Sequence, residues 1–158
     1  MNTVAKEQVL AQYKSSLPDR VMGFFEEHRP LSNFHLESFT WCGIIWPSSE
    51  NAYQAAKTDA SEWPRFAIMS PSESRREGQK AKLVVKNWDD ERFNIMKEIL
   101  KFKFSNCPIA QKVLISTGNA HLEECNWWGD RYYGTVNGNG FNALGKILMK
   151  IREEYKNT

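Results

Sequence analysis

A helix-dominated domain carrying one small antiparallel sheet is what this sequence predicts, and three observations lead to it. Apolar residues recur at helical spacing, as in Phe93, Met96, Leu100 and Phe104 and again in Leu144, Ile147, Leu148, Ile151 and Tyr155. Aromatic and β-branched residues between Val21 and Trp46 are interrupted at Pro30 and Gly43, which suits short strands joined by turns. No internal repeat, low-complexity tract or linker-like composition divides the 158 residues, so one domain is expected. A chain of this length buries roughly 68–70% of its unfolded surface, enough for a real core.

Taken in order, residues 3–15 suit a short helix with Val4, Val9, Leu10 and Tyr13 on one side, stopped by Leu17, Pro18 and Asp19. Residues 1–20 therefore read as an accessory segment ahead of a domain spanning 21–158. Strands are expected at 22–26, 38–41 and 44–46, with PLSNF in a connecting loop. Pro47 then fixes its own backbone and bars Trp46 from helical geometry, Ser48 or Ser49 can cap, and Ala52, Ala55 and Ala56 propagate a helix starting near Glu50.

Ser70, Pro71 and Glu73 make a capping box with proline at the first helical position, opening a helix from Pro71 to about Leu83. Asn87 or Asp89 caps the next, whose apolar stripe is core while Lys97, Lys101 and Lys103 occupy other positions. Pro108 opens another that ends at Thr117, Gly118 and Asn119. Residues 120–141 hold Gly129, Gly134, Gly138 and Gly140 among asparagines and aromatics, and read as short extended pieces around a functional loop. The last helix runs from about Asn142 to Tyr155, with Gly145 beside its apolar face, where a missing side chain permits close backbone approach.

Several function classes fall away on composition. No apolar run approaches the roughly 18 residues of a membrane helix, and the first residues lack the apolar segment of a signal peptide, so a soluble, unexported, cytoplasmic protein is expected. Cys42, Cys107 and Cys125 are odd in number and widely spaced, which indicates neither a disulfide framework nor a zinc ribbon. A net charge of +2 does not announce a general nucleic-acid binder, although local cations suffice for one phosphate. His28, His35 and His121 are isolated, so no metal site is expected. GNGFNALG lacks the spacing of a nucleotide-binding glycine loop, and no GxSxG elbow occurs.

What remains are carboxylates and aromatics. Glu50, Tyr53 or Gln54, and Lys57 are three or four residues apart and share one helical face, bringing an acid, a polar or aromatic group and a base together. The same placement is also compatible with a solvated charged face, since the helix macrodipole favours any acid in the first turn by about 0.3–1 kcal/mol. Glu123, Glu124 and Asp130 lie among aromatics and glycines around NWWGD, a setting that can perturb a carboxyl group. Paired carboxylates suit cleavage of a glycosidic bond, but any chain with 19 acidic residues offers several pairs. The tryptophans, six in all, suit either the ends of the core or the walls of a pocket that stacks a flat ring.

Over residues 22 to 152 these pieces together resemble the NADAR, or YbiA-like, family of N-glycosidases. The matching stretches are GFFEEHRPLSNF, WPSSENAYQAAK, SESRREGQKAKLVVKNWDDERFNIMKEILKFKF, LEECNWWGDRYYG and NALGKILMKIR. The resemblance implies a single compact α+β domain, dominated by helices, that hydrolyses N-glycosidic bonds between ribose and a base without a metal or other cofactor. It implies as substrate a small phosphorylated ribosyl-base compound, a ribosylated aminopyrimidine of riboflavin synthesis, or else ADP-ribosylated guanine in nucleic acid. A non-catalytic module binding NAD or ADP-ribose is the third reading, and the resemblance leaves the oligomeric state open.

The resemblance places the family's catalytic glutamate on Glu50, its tryptophan after the basic helix on Trp88, and the acidic residue of its WGD segment on Asp130. In the mechanism it implies, Glu50 polarises a water or stabilises charge at the anomeric carbon, Asp130 orients ribose hydroxyls or water, and Trp88 or Trp128 stacks the base. Ser32, Asn33, Lys57, Asn126, Trp128 and Asn142 match other motif positions and are candidates for the pocket wall. Lys57, Arg75, Arg76 and Lys80 are candidates for holding phosphate. Two positions depart from the pattern: Asn51 stands where histidine is common, and Tyr133 where tryptophan is usual.

Overall fold

The computed structural model describes residues 3–158. The chain folds as two compact units, one made of the residues up to Ser32 with Lys112–Thr158, the other of Asn33–Gln111.

In the first unit, α1 (Thr3–Ser16) is anchored by Tyr13, which is fully buried. Its hydroxyl donates to the Phe25 carbonyl at 2.8 Å and shares a 2.8 Å hydrogen bond with His28 Nδ1. Burial, reinforced by the charges of Glu27 and Glu26, pushes the phenol up to about 12, so it stays a neutral donor. Helix α1 is thus fastened to its unit by a polar contact of a buried side chain.

Strand β1 (Arg20–Met22) lies parallel to β4 (His121–Glu123), with Val21 opposite Leu122. This corrects the expectation of a strand at 22–26 in an antiparallel sheet: Gly23, at φ 126°, ends the strand early, and a 3-10 helix at Glu26–Leu31 follows. Helix α7 (Ala143–Lys156) packs its buried Leu144, Ile147, Leu148 and Ile151 inward and lies against β4. Gly145 makes that approach possible, because a Cβ there would sit 2.1 Å from the Leu122 carbonyl oxygen.

In the second unit, β2 (Phe39–Trp41) and β3 (Ile44–Trp46) form the expected antiparallel hairpin. Its two-residue turn puts Cys42 and Gly43 at φ 53° and 76°, the pairing of positive φ values that matches strand twist. Trp41, Trp46 and Trp63 cluster here, with Trp41 and Trp63 stacked at 5.4 Å and Trp46 Nε1 donating to the Trp41 carbonyl at 2.9 Å. Helices α2 (Ser49–Ala56), α3 (Trp63–Ala67), α4 (Pro71–Lys80) and α5 (Trp88–Asn106) follow.

The Ser70 hydroxyl caps α4 by accepting from the Glu73 N–H at 3.1 Å, as the capping box predicts, but the helix stops at Lys80 rather than Leu83. Beyond it, the Val84 N–H donates to the Lys57 carbonyl at 3.0 Å, a partner the helix could not supply. Ser74 and Gly78, both buried, bring α4 close to α2. Asn87 starts α5 from the left-handed region at φ 57°, and Met96, Ile99, Leu100 and Phe104 form its buried stripe. Helix α6 (Pro108–Ser116) is opened by the Glu37 carboxylate, which accepts from the N–H groups of Ile109 at 2.9 Å and Ala110 at 3.0 Å. No helix among the described residues is long and apolar enough to cross a membrane.

Candidate active site

Glu50 sits in the first turn of α2 and is only 7% exposed. Two contacts fix that turn. The Ser48 hydroxyl accepts from the Asn51 N–H at 3.2 Å, and Asn33 docks beside it, accepting from the Glu50 N–H at 3.0 Å through its carbonyl and from the Ser49 hydroxyl at 2.7 Å through Oδ1. Asn33 therefore positions the helix start that carries Glu50. The carboxylate itself is held from one turn along, where Gln54 Nε2 donates to Glu50 Oε1 at 2.8 Å.

Asn51, where the resemblance leads one to expect histidine, is fully buried. Its amide nitrogen donates to the carbonyls of Phe66 and Met69, both at 2.9 Å, and its Oδ1 accepts from Ser48 at 2.5 Å. That side chain ties α2 to the end of α3.

Lys57 ends α2, half-buried, with its ammonium 5.6 Å from the Tyr53 ring and 5.8 Å from the Trp88 ring. Those two rings lie 5.4 Å apart, so one cation rests against both. Burial pushes the Lys57 ammonium below its ordinary range; the Glu50 charge works against that, and Arg75 and Arg92 add to it. Arg75 on α4 and Arg92 on α5 are thus close enough to act on Lys57. Arg76 and Lys80 are exposed, and Lys80 faces Glu77 at 3.9 Å. Among the sequence candidates, then, Glu50, Asn33, Lys57, Arg75 and Trp88 gather in this unit. Arg92 was not singled out from the sequence. It lies one helical turn after Trp88, and that spacing was the available signal.

The remaining candidates belong to the first unit. Ser32 is buried, and its N–H donates to the Arg29 carbonyl at 2.9 Å. Asp130 is half-buried and closes a tight turn, its Oδ1 accepting from the N–H groups of Tyr132 at 3.0 Å and Tyr133 at 2.9 Å. Its Oδ2 accepts no hydrogen bond among the described residues. Asn126 is 1% exposed and holds the loop from inside: Nδ2 donates to the carbonyls of Asp130 at 2.8 Å and Thr135 at 3.1 Å, and Oδ1 accepts from the Asp130 N–H at 3.0 Å. Asn142, in the left-handed region at φ 55°, joins β4 to α7 by donating to the Leu122 carbonyl and accepting from the Glu124 N–H, both at 3.0 Å. Trp128 is 42% exposed and meets Trp127 edge-on at 4.9 Å, while Trp127 stacks on Phe25 at 5.5 Å.

Glu123 and the cysteines are also accounted for. Burial opposes the charge on Glu123, but hydrogen bonds from His121, Thr135 and Cys125 prevail and hold its carboxyl below the usual range. Because the folded value lies below the unfolded one, the stabilisation is fully present above the ordinary glutamate value of about 4.3 and is lost as pH falls through the lowered folded value. Glu123→Gln is therefore expected to flatten the loss of stability on acidification below about pH 4. Thermal unfolding of both proteins across that range checks it. Burial pushes the Cys107 thiol up to about 11 and the Cys125 thiol up to about 12, so neither offers a thiolate near neutral pH. No group of three or more His, Cys, Asp or Glu side chains placed to hold a metal occurs among the described residues.

Comparison with known proteins places the chain in a family. The chain is 34% identical over 154 residues to a riboflavin biosynthesis protein of Vibrio vulnificus, a match covering 89% of this chain and 40% of that protein. It is 29% identical over 148 residues to N-glycosidase YbiA of Shigella flexneri, covering 87% of this chain and 90% of that one. The NMR structure of the Escherichia coli protein YbiA superposes with a TM-score of 0.76 at 30% identity, covering 87% of this chain and 86% of that chain. The chain thus spans less than half of the Vibrio relative but most of YbiA. With the family model of the NADAR domain matching residues 22–156, the chain belongs to the NADAR domain family.

Proposed function

We propose that this protein is an N-glycosidase that hydrolyses the ribose–base bond of phosphoribosylated aminopyrimidine intermediates of riboflavin synthesis. One observation carries the reading: Glu50 is buried at the mouth of α2, held by Gln54, with Lys57, Tyr53 and Trp88 gathered along and beside the same helix. The names of the relatives, N-glycosidase and riboflavin biosynthesis protein, agree with it. In the reaction, Glu50 takes a proton from water as the water oxygen attacks the anomeric carbon. The C–N bond breaks, its electron pair leaves with the base, and the proton that Glu50 took passes through water to the departing base nitrogen, which restores the carboxylate. Trp88 and Tyr53 offer aromatic faces for a flat base, and Lys57, Arg75 and Arg92 offer positive charge for the phosphate. Turnover of Asp130→Asn tests the role that the family resemblance gives this residue.

The test is chromatographic. The protein is incubated with phosphoribosylaminouracil and, in parallel, with DNA carrying ADP-ribosylated guanine. Ribose 5-phosphate released from the first supports the proposal. ADP-ribose released from the second alone moves the substrate to nucleic acid, and no cleavage of either leaves a binding module. Lys57→Gln is expected to lower kcat/KM for the phosphorylated substrate by about 10–100-fold, as loss of a charged hydrogen bond does, and to change turnover of its dephosphorylated counterpart far less.

A further inference from the structure

We infer that Gln54 is a positioning residue that keeps the Glu50 carboxylate ionised and in place, and that Gly78 is what leaves it room to do so. The inference rests on the reading of Glu50 as the base.

Gln54 is 5% exposed and lies one turn after Glu50, so its amide meets the carboxylate along the helix, with Nε2 donating to Oε1 at 2.8 Å. On the other side stands the backbone of α4: a Cβ built on Gly78 would lie 1.9 Å from Gln54 Oε1, 2.7 Å from Cδ and 2.9 Å from Cβ. The amide is wedged between a carboxylate and a helix backbone. Its orientation has a cost, because Oε1 is buried and accepts no hydrogen bond among the described residues. An ionised carboxylate can only accept, so the amide must turn its nitrogen toward Glu50 and leave its oxygen unmatched. The unmatched oxygen shows which end of the amide the fold gives priority, and that end is the one on Glu50.

A donor to the charged form favours ionisation. Lys57 on α2 feels the Glu50 charge, and Arg75 of α4 and Arg92 of α5 act on that lysine as well, while Glu77 of α4 is turned to Arg65 at 3.5 Å and Lys80 at 3.9 Å. Gln54→Leu keeps all of them and removes only the donor. Gly78→Ala keeps the donor and displaces it.

The test reads Glu50 directly, by carbon-13 NMR titration of glutamate carboxyls in wild type, Gln54→Leu and Gly78→Ala, with the Glu50 signal assigned by its loss in Glu50→Gln. The expected result is a Glu50 midpoint raised by about one pH unit or more in both variants. The acid limb of kcat should move with it, and kcat should fall about 10-fold or more at an unchanged KM. A folded Gln54→Leu protein with the wild-type midpoint overturns the inference. If Gln54→Leu does not fold, an unchanged midpoint in Gly78→Ala overturns it instead, and failure of both to fold makes Gln54 a packing residue only. Full turnover by Glu50→Gln would remove the catalytic reading, while the NMR midpoints still decide the role of Gln54.

Discussion

Replacing Glu50 with glutamine is expected to lower turnover by about 10²–10⁴-fold, the usual contribution of a general base. That corresponds to roughly 3–5 kcal/mol of barrier. The substitution is chosen because it leaves the fold almost untouched. Glutamine is isosteric, its Oε1 can still accept from Gln54 Nε2, and the backbone contact from residue 50 to the Asn33 carbonyl does not involve the side chain. Its effect on stability comes from the lost negative charge, which costs about 0.3–1 kcal/mol at the start of α2 and also removes the charge that favours the half-buried Lys57 ammonium. What the variant cannot do is accept a proton from water. Base release measured beside thermal unfolding separates the two effects: a well-folded variant with full turnover would show that Glu50 is not the base.

The largest expected effect on stability lies in the other unit, at Gly145. Alanine is the better helix former, by about 0.8–1.0 kcal/mol, so helix propensity alone predicts that Gly145→Ala stabilises α7. Packing predicts the opposite. The added Cβ would fall 2.1 Å from the Leu122 carbonyl oxygen and within 2.4 Å and 2.6 Å of the Asn142 amide atoms. The carbonyl belongs to β4 and cannot swing away as a side-chain tip can, and the Asn142 amide is fixed by its bonds to Leu122 and Glu124. Overpacking of this kind costs about 1–3 kcal/mol, occasionally more, and here it also breaks buried hydrogen bonds. The net expectation is a loss of about 2 kcal/mol, or a Tm lower by about 4–8 °C for a chain of this size. A Tm at or above that of the wild type would mean that β4 and α7 are not held as closely as described.

Features that depend on neighbours within a helical turn or a tight turn were legible in the sequence. Ser70, Pro71 and Glu73 announced the start of α4, and the spacing from Leu144 to Ile151 announced the buried face of α7. Pro47 and Ser48 placed Glu50 in the first turn of α2, where it stands. Strands over Phe39–Trp41 and Ile44–Trp46 were legible because the breaker at Gly43 falls between two aromatic runs. Each is a matter of which dihedral angles a residue allows and which face a periodicity presents, and both are written within a few consecutive residues.

Tertiary structure alone decided the pairings between distant residues. Nothing near Arg20–Met22 says that its partner is His121–Glu123, or that the strands run parallel. Glu37 caps a helix that begins at Pro108, and only the folded chain brings that carboxylate to those N–H groups. The motif positions Asn126 and Asn142 are asparagines in the sequence and nothing more, until the fold shows their amides gathering backbone groups of the loop and of β4. The same holds for Gly78, whose missing side chain has meaning only once α4 lies against Gln54. The physical reason is common to all four. A hydrogen bond or a close approach is satisfied by whichever group arrives in space, and a single sequence records the group without recording its arrival.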